Sequence, residues 1–143
     1  MQDHAGPYVH IATFCRDVVE QADDAITLVG VTNLADVEAD ESGTRNAELT
    51  MFVSVRAGAA SGKHLITIRP IGPSGDLVFP EGSFPALFEG GSSGVEIQVD
   101  VRFEAKEEGP YWFELLLDGT DLLTKIPLEI VFGPSASESE DRA

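Results

Sequence analysis

The sequence predicts an all-β fold, a single antiparallel β-sandwich of seven to eight short strands. Apolar residues occupy every second position of three runs, Val95–Phe103, Tyr111–Leu117 and Ile126–Phe132. This period of two is typical of strands with one buried face. Asp118-Gly119 lies between the last two runs and is a strong hairpin signal, because glycine adopts a positive φ without a Cβ clash. Helical periodicity is weak throughout, the one exception being a single turn at Arg16–Ala22.

The first half of the chain divides into strands and polar connections. Tyr8–Cys15 is predicted as the first strand because it is rich in β-branched and aromatic residues. Arg16–Ala25 is a polar connection, and a second strand runs from Ile26 to about Leu34. Asp36–Asn46 is predicted to be an acidic loop.

The middle of the chain predicts two more strands around a glycine-rich turn. Glu48–Ala57 alternates cleanly, Gly58–Gly62 is interpreted as a flexible turn, and His64–Ile71 is the fourth strand. The Gly72–Gly75 turn ends that strand, and Asp76–Phe79 is predicted as a short strand.

Pro80–Gly94 is the least regular segment, and the strand at Val95–Phe103 and the final hairpin follow it. Pro127 cannot donate a ladder hydrogen bond, so the last strand is expected to be an edge or to carry a bulge there.

Length and composition indicate one domain. The chain has 143 residues, 43% of them apolar, which is enough for a substantial core. We expect a flexible N-terminus at 1–6, the sandwich at 7–132 and a disordered acidic tail at 133–143. The single cysteine, Cys15, excludes an intramolecular disulfide and fits a reducing compartment. Neither a secretory signal nor a membrane-spanning apolar run is visible, so we expect a soluble, cytoplasmic protein.

The formal net charge of −16 argues against two classes of partner. Nucleic acids and anionic membranes are bound mainly through Lys and Arg, and only nine such residues are present. Three explanations of the acidity stay open: a salt-rich habitat, a basic partner, or solubility alone.

No motif predicts catalysis. Gly90–Gly94 matches the G-x-S-x-G string of nucleophile elbows, but a strand follows it where a helix is required, so we interpret it as a loop. Gly58–His64 is one residue short of a phosphate-binding loop and also leads into a strand. His4, His10 and His64 lack metal-binding spacing. We therefore predict a protein that is not an enzyme and needs no cofactor.

An acidic cluster is the weak candidate for a metal site. The i, i+2, i+4 spacing of its carboxylates suggests oxygen ligands for calcium, but the glycine and the spaced glutamate of an EF-hand are missing. A solvated acidic loop is the favoured interpretation. The cluster consists of Asp36, Glu38, Asp40 and Glu41.

The candidate partner-binding residues lie in two places. The Pro- and Gly-punctuated segment 79–88 carries three phenylalanines and a leucine, and it either plugs one end of the sandwich or forms an exposed apolar patch. Trp112 falls on the opposite face from Tyr111 and is typical of interface hot spots. The candidates are Phe79, Phe84, Leu87, Phe88 and Trp112.

Turn and core motifs are spread across most of Tyr8–Phe132, at Leu28–Val31, Gly62–His64, Pro73–Gly75, Gly109–Phe113, Asp118-Gly119 and Ile126–Leu128. These motifs resemble those of a family of small bacterial β-sandwich proteins, a domain of unknown function. The resemblance implies an immunoglobulin-like sandwich and carries no catalytic residues. Gly109–Tyr111 also resembles the tyrosine corner of immunoglobulin-like domains.

Together these observations predict a non-enzymatic intracellular β-sandwich that binds a protein partner or self-associates. The contact would use a sheet edge, the 79–88 segment or the face near Trp112. The alternative is a module that binds a small ligand or calcium through the acidic loop 36–41.

Overall fold

A computed structural model describes residues 6–133, which form eight β-strands and contain no helix. The predicted all-β class is therefore confirmed. The predicted flexible N-terminus and acidic tail lie outside the described residues, apart from Gly6 and Gly133. The strands are β1 (Tyr8–Cys15), β2 (Asp17–Glu20), β3 (Ile26–Val29), β4 (Leu34–Val37), β5 (Asn46–Ile71), β6 (Gly82–Glu104), β7 (Gly109–Leu117) and β8 (Asp121–Phe132).

Two long strands form a ribbon that belongs to both layers of the molecule. β5 and β6 pair antiparallel from Asn46 opposite Glu104 to Ile68 opposite Gly82. β1 flanks the first half of β5, whereas β7, β8 and β4 extend the sheet from the second half. We call β1 with the adjoining halves of β5 and β6 the first layer, and the other five-stranded part the second layer.

The ribbon bends at a glycine bulge, where the sequence predicted a turn. Register shifts occur on both sides of Gly58, which lies opposite Gly91. Both glycines have positive φ, 58° and 65°, and such a bulge bends and twists the paired strands. The predicted turn at Gly58–Gly62 is therefore wrong, and so is the loop at Gly90–Gly94, because both segments continue through one ribbon.

Aromatic residues from both layers meet in the core. The rings of Phe14 on β1 and Phe113 on β7 pack edge to face with centroids 5.0 Å apart. Phe103 on β6 contacts both Tyr111 and Phe113. The layers are thus joined by packing as well as by the shared ribbon.

The N-terminal third departs most from the predictions. Arg16–Ala25 contains β2, which forms a hairpin with β3 and packs against the outside of the first layer, where Phe52 is buried. The predicted strand from Ile26 to about Leu34 contains β3 and only the first residue of β4, and the predicted acidic loop begins inside β4. β4 pairs parallel with β8, so the sheet is not wholly antiparallel.

The last two predicted strands are confirmed as a hairpin that closes at Asp118-Gly119. Pro127 lies opposite Trp112, just before the part of β8 that pairs with β4, so its missing N–H interrupts no ladder. The predicted short strand at Asp76–Phe79 is reduced to a single bridge between Ile71 and Leu77.

Replacing Tyr111 with phenylalanine is expected to lower the free energy of unfolding by about 1–2 kcal/mol. The Tyr111 hydroxyl is buried and donates a 2.7 Å hydrogen bond to the Glu107 carbonyl, which fastens the connection before β7. Burial also raises the pKa of Tyr111. Urea denaturation measures the loss. Tyr8→Phe, at a half-exposed tyrosine, is the control and should change stability by less than about 0.5 kcal/mol; equal losses would contradict the assignment.

Candidate interaction surface

The structure separates the five residues that the sequence proposed for partner binding. Because β6 alternates from Gly82 onward, Phe84 and Phe88 point toward the core, and Phe88 is fully buried. Phe79 packs on Phe103 at a centroid distance of 5.8 Å. Only Leu87 and Trp112 are substantially exposed, at 57% and 41%.

Segment 79–88 overlaps the region that the sequence predicted to be least regular, yet most of it is regular. From Gly82 it is an edge strand, and its phenylalanines complete the core while its outward residues face solvent.

Leu87 and Trp112 share the outer face of the second layer but do not meet. Leu87 lies directly opposite Lys63 on β5, whereas Trp112 lies opposite Ile71 at the other end of that half of β5. The intervening length of β5 spans on the order of 26 Å. The two residues belong to two separate apolar areas.

Leucines from four strands form the first of these areas, which we call the leucine patch. Leu65 on β5 lies opposite Pro85 and diagonal to Leu87 on β6, and Leu116 on β7 lies opposite Leu122 on β8. Leu65, Leu87 and Leu122 are each about half exposed, and Leu116 is buried between their strands. The leucine patch consists of Leu65, Leu87, Leu116 and Leu122.

Sequence reasoning missed Leu65 and Leu122. Leu65 precedes the core residue Ile66, so its outward direction follows from the strand alternation. Leu122 points outward because a bulge between Leu115 and Leu116 shifts the register, and this places Leu116 opposite Leu122. The sequence therefore indicates the outward direction of Leu65 but not that of Leu122.

A row of charges separates the leucine patch from Trp112. Arg69 lies 3.0 Å from Glu81 and 3.6 Å from Glu114, and Lys125 lies opposite Glu114 on β8. The Lys125 ammonium is 6.0 Å from the centre of the Trp112 ring. An apolar area bordered by charged side chains is typical of protein interfaces.

A histidine–aspartate pair lies at the end of the leucine patch and contacts the backbone of Leu65. His64 Nδ1 donates to Asp118 Oδ2 at 2.8 Å, and its Nε2 donates to the Ser61 carbonyl at 3.0 Å. Asp118 Oδ1 accepts from the Leu65 N–H at 3.0 Å. Because both ring nitrogens face acceptors, the protonated imidazole fits best. Asp118 first, and then the Ser61 carbonyl, raise the pKa of His64, and His64 in turn lowers the pKa of Asp118.

We expect the stabilisation contributed by His64 to depend on pH. A pKa raised on folding gives stability that is complete below the unfolded value of about 6.5 and is lost as pH rises through the folded value. The lowered pKa of Asp118 gives stability that is lost as pH falls below about 4 through its folded value. The difference in melting temperature between the wild type and His64→Gln should therefore be larger at about pH 5 than at about pH 8.5. His10→Gln, at an exposed strand position, is the control; an equal difference at both pH values would contradict the interpretation.

Among the four acidic residues proposed for calcium, Asp40 stabilises the turn that follows it. Asp40 Oδ1 accepts hydrogen bonds from the Ser42 N–H, the Ser42 hydroxyl and the Thr44 N–H, at 2.7–2.9 Å. The hydroxyl of Ser42 first, and then the N–H of Thr44, lower the pKa of Asp40. Asp36 lies in β4. Within residues 6–133 no three His, Cys, Asp or Glu side chains are arranged to hold a metal ion.

No protein-family model matches the chain, and no curated protein is significantly similar to it. The resemblance to the bacterial β-sandwich family therefore stays a prediction. In the part of the chain that the structure describes, no helix has the length and apolar character needed to cross a membrane.

Proposed function

We propose that this protein is a non-enzymatic, cytoplasmic interaction module that binds a partner protein through the outer face of its second layer. The leucine patch is the observation that carries the proposal. Leu65, Leu87 and Leu122 are half exposed on one face of the same sheet, with the buried Leu116 on the strand between Leu65 and Leu122, so they can contact a partner without a loss of backbone freedom. Exposed apolar side chains grouped on one face in this way are typical of interaction sites in soluble proteins.

Burial energy supports binding at this place. Fully burying a leucine side chain contributes about 1.5–3 kcal/mol, so the exposed halves of Leu65, Leu87 and Leu122 supply on the order of 3 kcal/mol. The charged row beside them fixes the orientation of the partner more than its affinity. Trp112, half exposed beyond that row, is a second anchor.

The charge of the chain indicates the chemistry of the partner. A net charge of −16 repels acidic proteins and accelerates association with basic ones. The partner that fits this face has an apolar centre to cover the leucine patch and a basic rim.

The proposal includes an immunoglobulin-like architecture of bacterial type. The hydrogen bond from the Tyr111 hydroxyl to the Glu107 carbonyl, four residues upstream, supports it, because this contact is typical of the tyrosine corner.

Capture of partners from native lysate tests the leucine patch when matched variants are compared. We expect wild type and Leu34→Ser to retain the same basic protein at about 0.15 and 0.4 M salt, and Leu65→Ser/Leu122→Ser to retain at least about tenfold less. Leu34 is the control because it is equally exposed, at 50%, on the far edge of the same layer. Quantitative mass spectrometry gives the ratios, and melting curves verify folding. Equal retention by all three proteins, or no retained protein, would overturn the proposal.

A further inference from the structure

The free edge of β6 is unusually open in its second half. Among residues 6–133, β6 pairs with β5 alone, so its other edge carries no strand. Natural sheet edges are commonly protected by proline, bulges or lysine. The first half of β6 has Pro85 and the glycine bulge, whereas Val95–Phe103 has no proline, glycine or lysine and pairs with β5 without a register shift.

The hydrogen-bond pattern identifies which backbone groups point to this edge. The Ala105 N–H donates to the Arg45 carbonyl at 2.7 Å, in register with Asn46 opposite Glu104. Backbone groups alternate in direction along a strand, so the odd residues of this half bond to β5. The even residues therefore direct their N–H and C=O groups to the open edge. They are Glu96, Gln98, Asp100 and Arg102.

We propose that two copies of this chain pair through these edges, antiparallel, about a twofold axis at Val99. In that register Glu96 of each copy lies opposite Arg102 of the other, and Gln98 lies opposite Asp100. Each opposed pair of even residues exchanges two backbone hydrogen bonds. The side chains of these residues share the outer face, where opposite charges on facing strands stabilise the pairing.

Charge favours this register over the registers obtained by moving the axis along β6. Moving the axis to Gln98 places Glu96 opposite Asp100, and moving it to Asp100 places that carboxylate opposite itself. An axis at Val101 also opposes unlike charges, but β6 ends at Glu104, so the overlap is shorter. The Val99 register uses the whole run from Gly94 to Glu104.

The side chains are available for these contacts. Arg102 Nε lies 2.6 Å from Glu48 within the chain, yet the arginine side chain is 72% exposed and can bind a second carboxylate. On the inner face Val99 is only partly buried, and it would pack against its counterpart. Because each chain carries −16, moderate salt should favour the dimer by screening long-range repulsion.

This edge is separate from the leucine patch, so the proposal does not depend on the proposed function. It belongs to the first layer, whereas the leucine patch lies on the second. A variant that disrupts one contact surface leaves the other intact. Either proposal can therefore be contradicted by its own test without affecting the other.

Charge reversal tests the register directly. Sedimentation at about 100 μM protein and about 0.3 M salt should give a dimer for wild type and monomers for Glu96→Arg and for Arg102→Glu, since each single variant opposes like charges. Mixing the two single variants should restore a dimer, because positions 96 and 102 then carry opposite charges wherever they face each other across the axis. The double variant Glu96→Arg/Arg102→Glu should also be dimeric by itself.

Lys125→Glu is the control, because it changes the net charge as much as Arg102→Glu but lies on β8. It should stay dimeric, and melting curves should verify that every variant is folded. A monomeric wild type would overturn the proposal. So would single variants that dimerise like wild type, or a mixture of monomeric variants that stays monomeric.

Discussion

Replacing Phe113 with alanine is expected to lower the free energy of unfolding by about 3–5 kcal/mol. Phe113 is fully buried where the two layers meet, with its ring 5.0 Å from that of Phe14 and 6.1 Å from that of Phe79. Truncation removes the buried ring and leaves a cavity between the rings of Phe14, Phe79 and Phe103. These rings belong to separate parts of the chain, so they cannot all move in to fill the cavity. Denaturant titration measures the loss.

Trp112→Ala is the matched control for this variant. Trp112 is the preceding residue on β7, is larger than Phe113 and is 41% exposed on the outer face. Its loss leaves no enclosed cavity, so the variant should lose less than half as much stability. Equal losses, or a larger loss at Trp112, would contradict the assignment of inner and outer faces on β7.

Replacing Gly94 with alanine is expected to lower the free energy of unfolding by about 3 kcal/mol, the upper end of what overpacking costs. A Cβ at Gly94 would overlap the Val55 carbonyl oxygen and lie 2.9 Å from the Arg56 Cα. Both neighbours are backbone atoms of β5, so no side chain can rotate away. The two strands would have to separate beside the bulge that joins the layers.

Gly82→Ala, in the same strand, is the control. The nearest atom to a Cβ at Gly82 is a ring carbon of Phe84 at 3.8 Å, an ordinary contact. That variant should leave the free energy of unfolding within about 0.5 kcal/mol of wild type. If Gly94→Ala were as stable as Gly82→Ala, β5 and β6 would not approach as closely as the structure has them.

The sequence predicted those strands whose pattern is set by one buried face. β7 and β8 follow alternation, β1 follows its β-branched and aromatic composition, and the β7–β8 hairpin follows the Asp118-Gly119 turn. In each case the local pattern and the tertiary structure agree, because each apolar set packs into the one core.

The predictions failed where a partner strand decides the local structure. Gly58–Gly62 has the composition of a turn, but it forms a bulge in which Gly58 lies opposite Gly91 on β6. β2 is only four residues long and pairs with β3, so it is too short for alternation to reveal it. The parallel pairing of β4 depends on β8, nearly a hundred residues away, and no local pattern records it.

The candidate surface was only partly predictable for a similar reason. Leu87 and Trp112 were chosen for residue type, and alternation within their strands leaves both exposed. The leucine patch depends on which strands are neighbours and on the bulge before Leu116. Its members are scattered from residue 65 to residue 122, so they form one surface only after folding.

The shared β5–β6 ribbon also bears on how the molecule opens. In a sandwich whose strands each belong to one layer, one layer can fray while the other persists. Here β5 and β6 are paired on both sides of the bulge, so the same two strands contribute backbone hydrogen bonds to both layers. Separation of the ribbon at either end removes a central pair from both layers at once. The backbone amides on the two sides of Gly58 are therefore expected to exchange with solvent as one cooperative unit, with a common opening free energy.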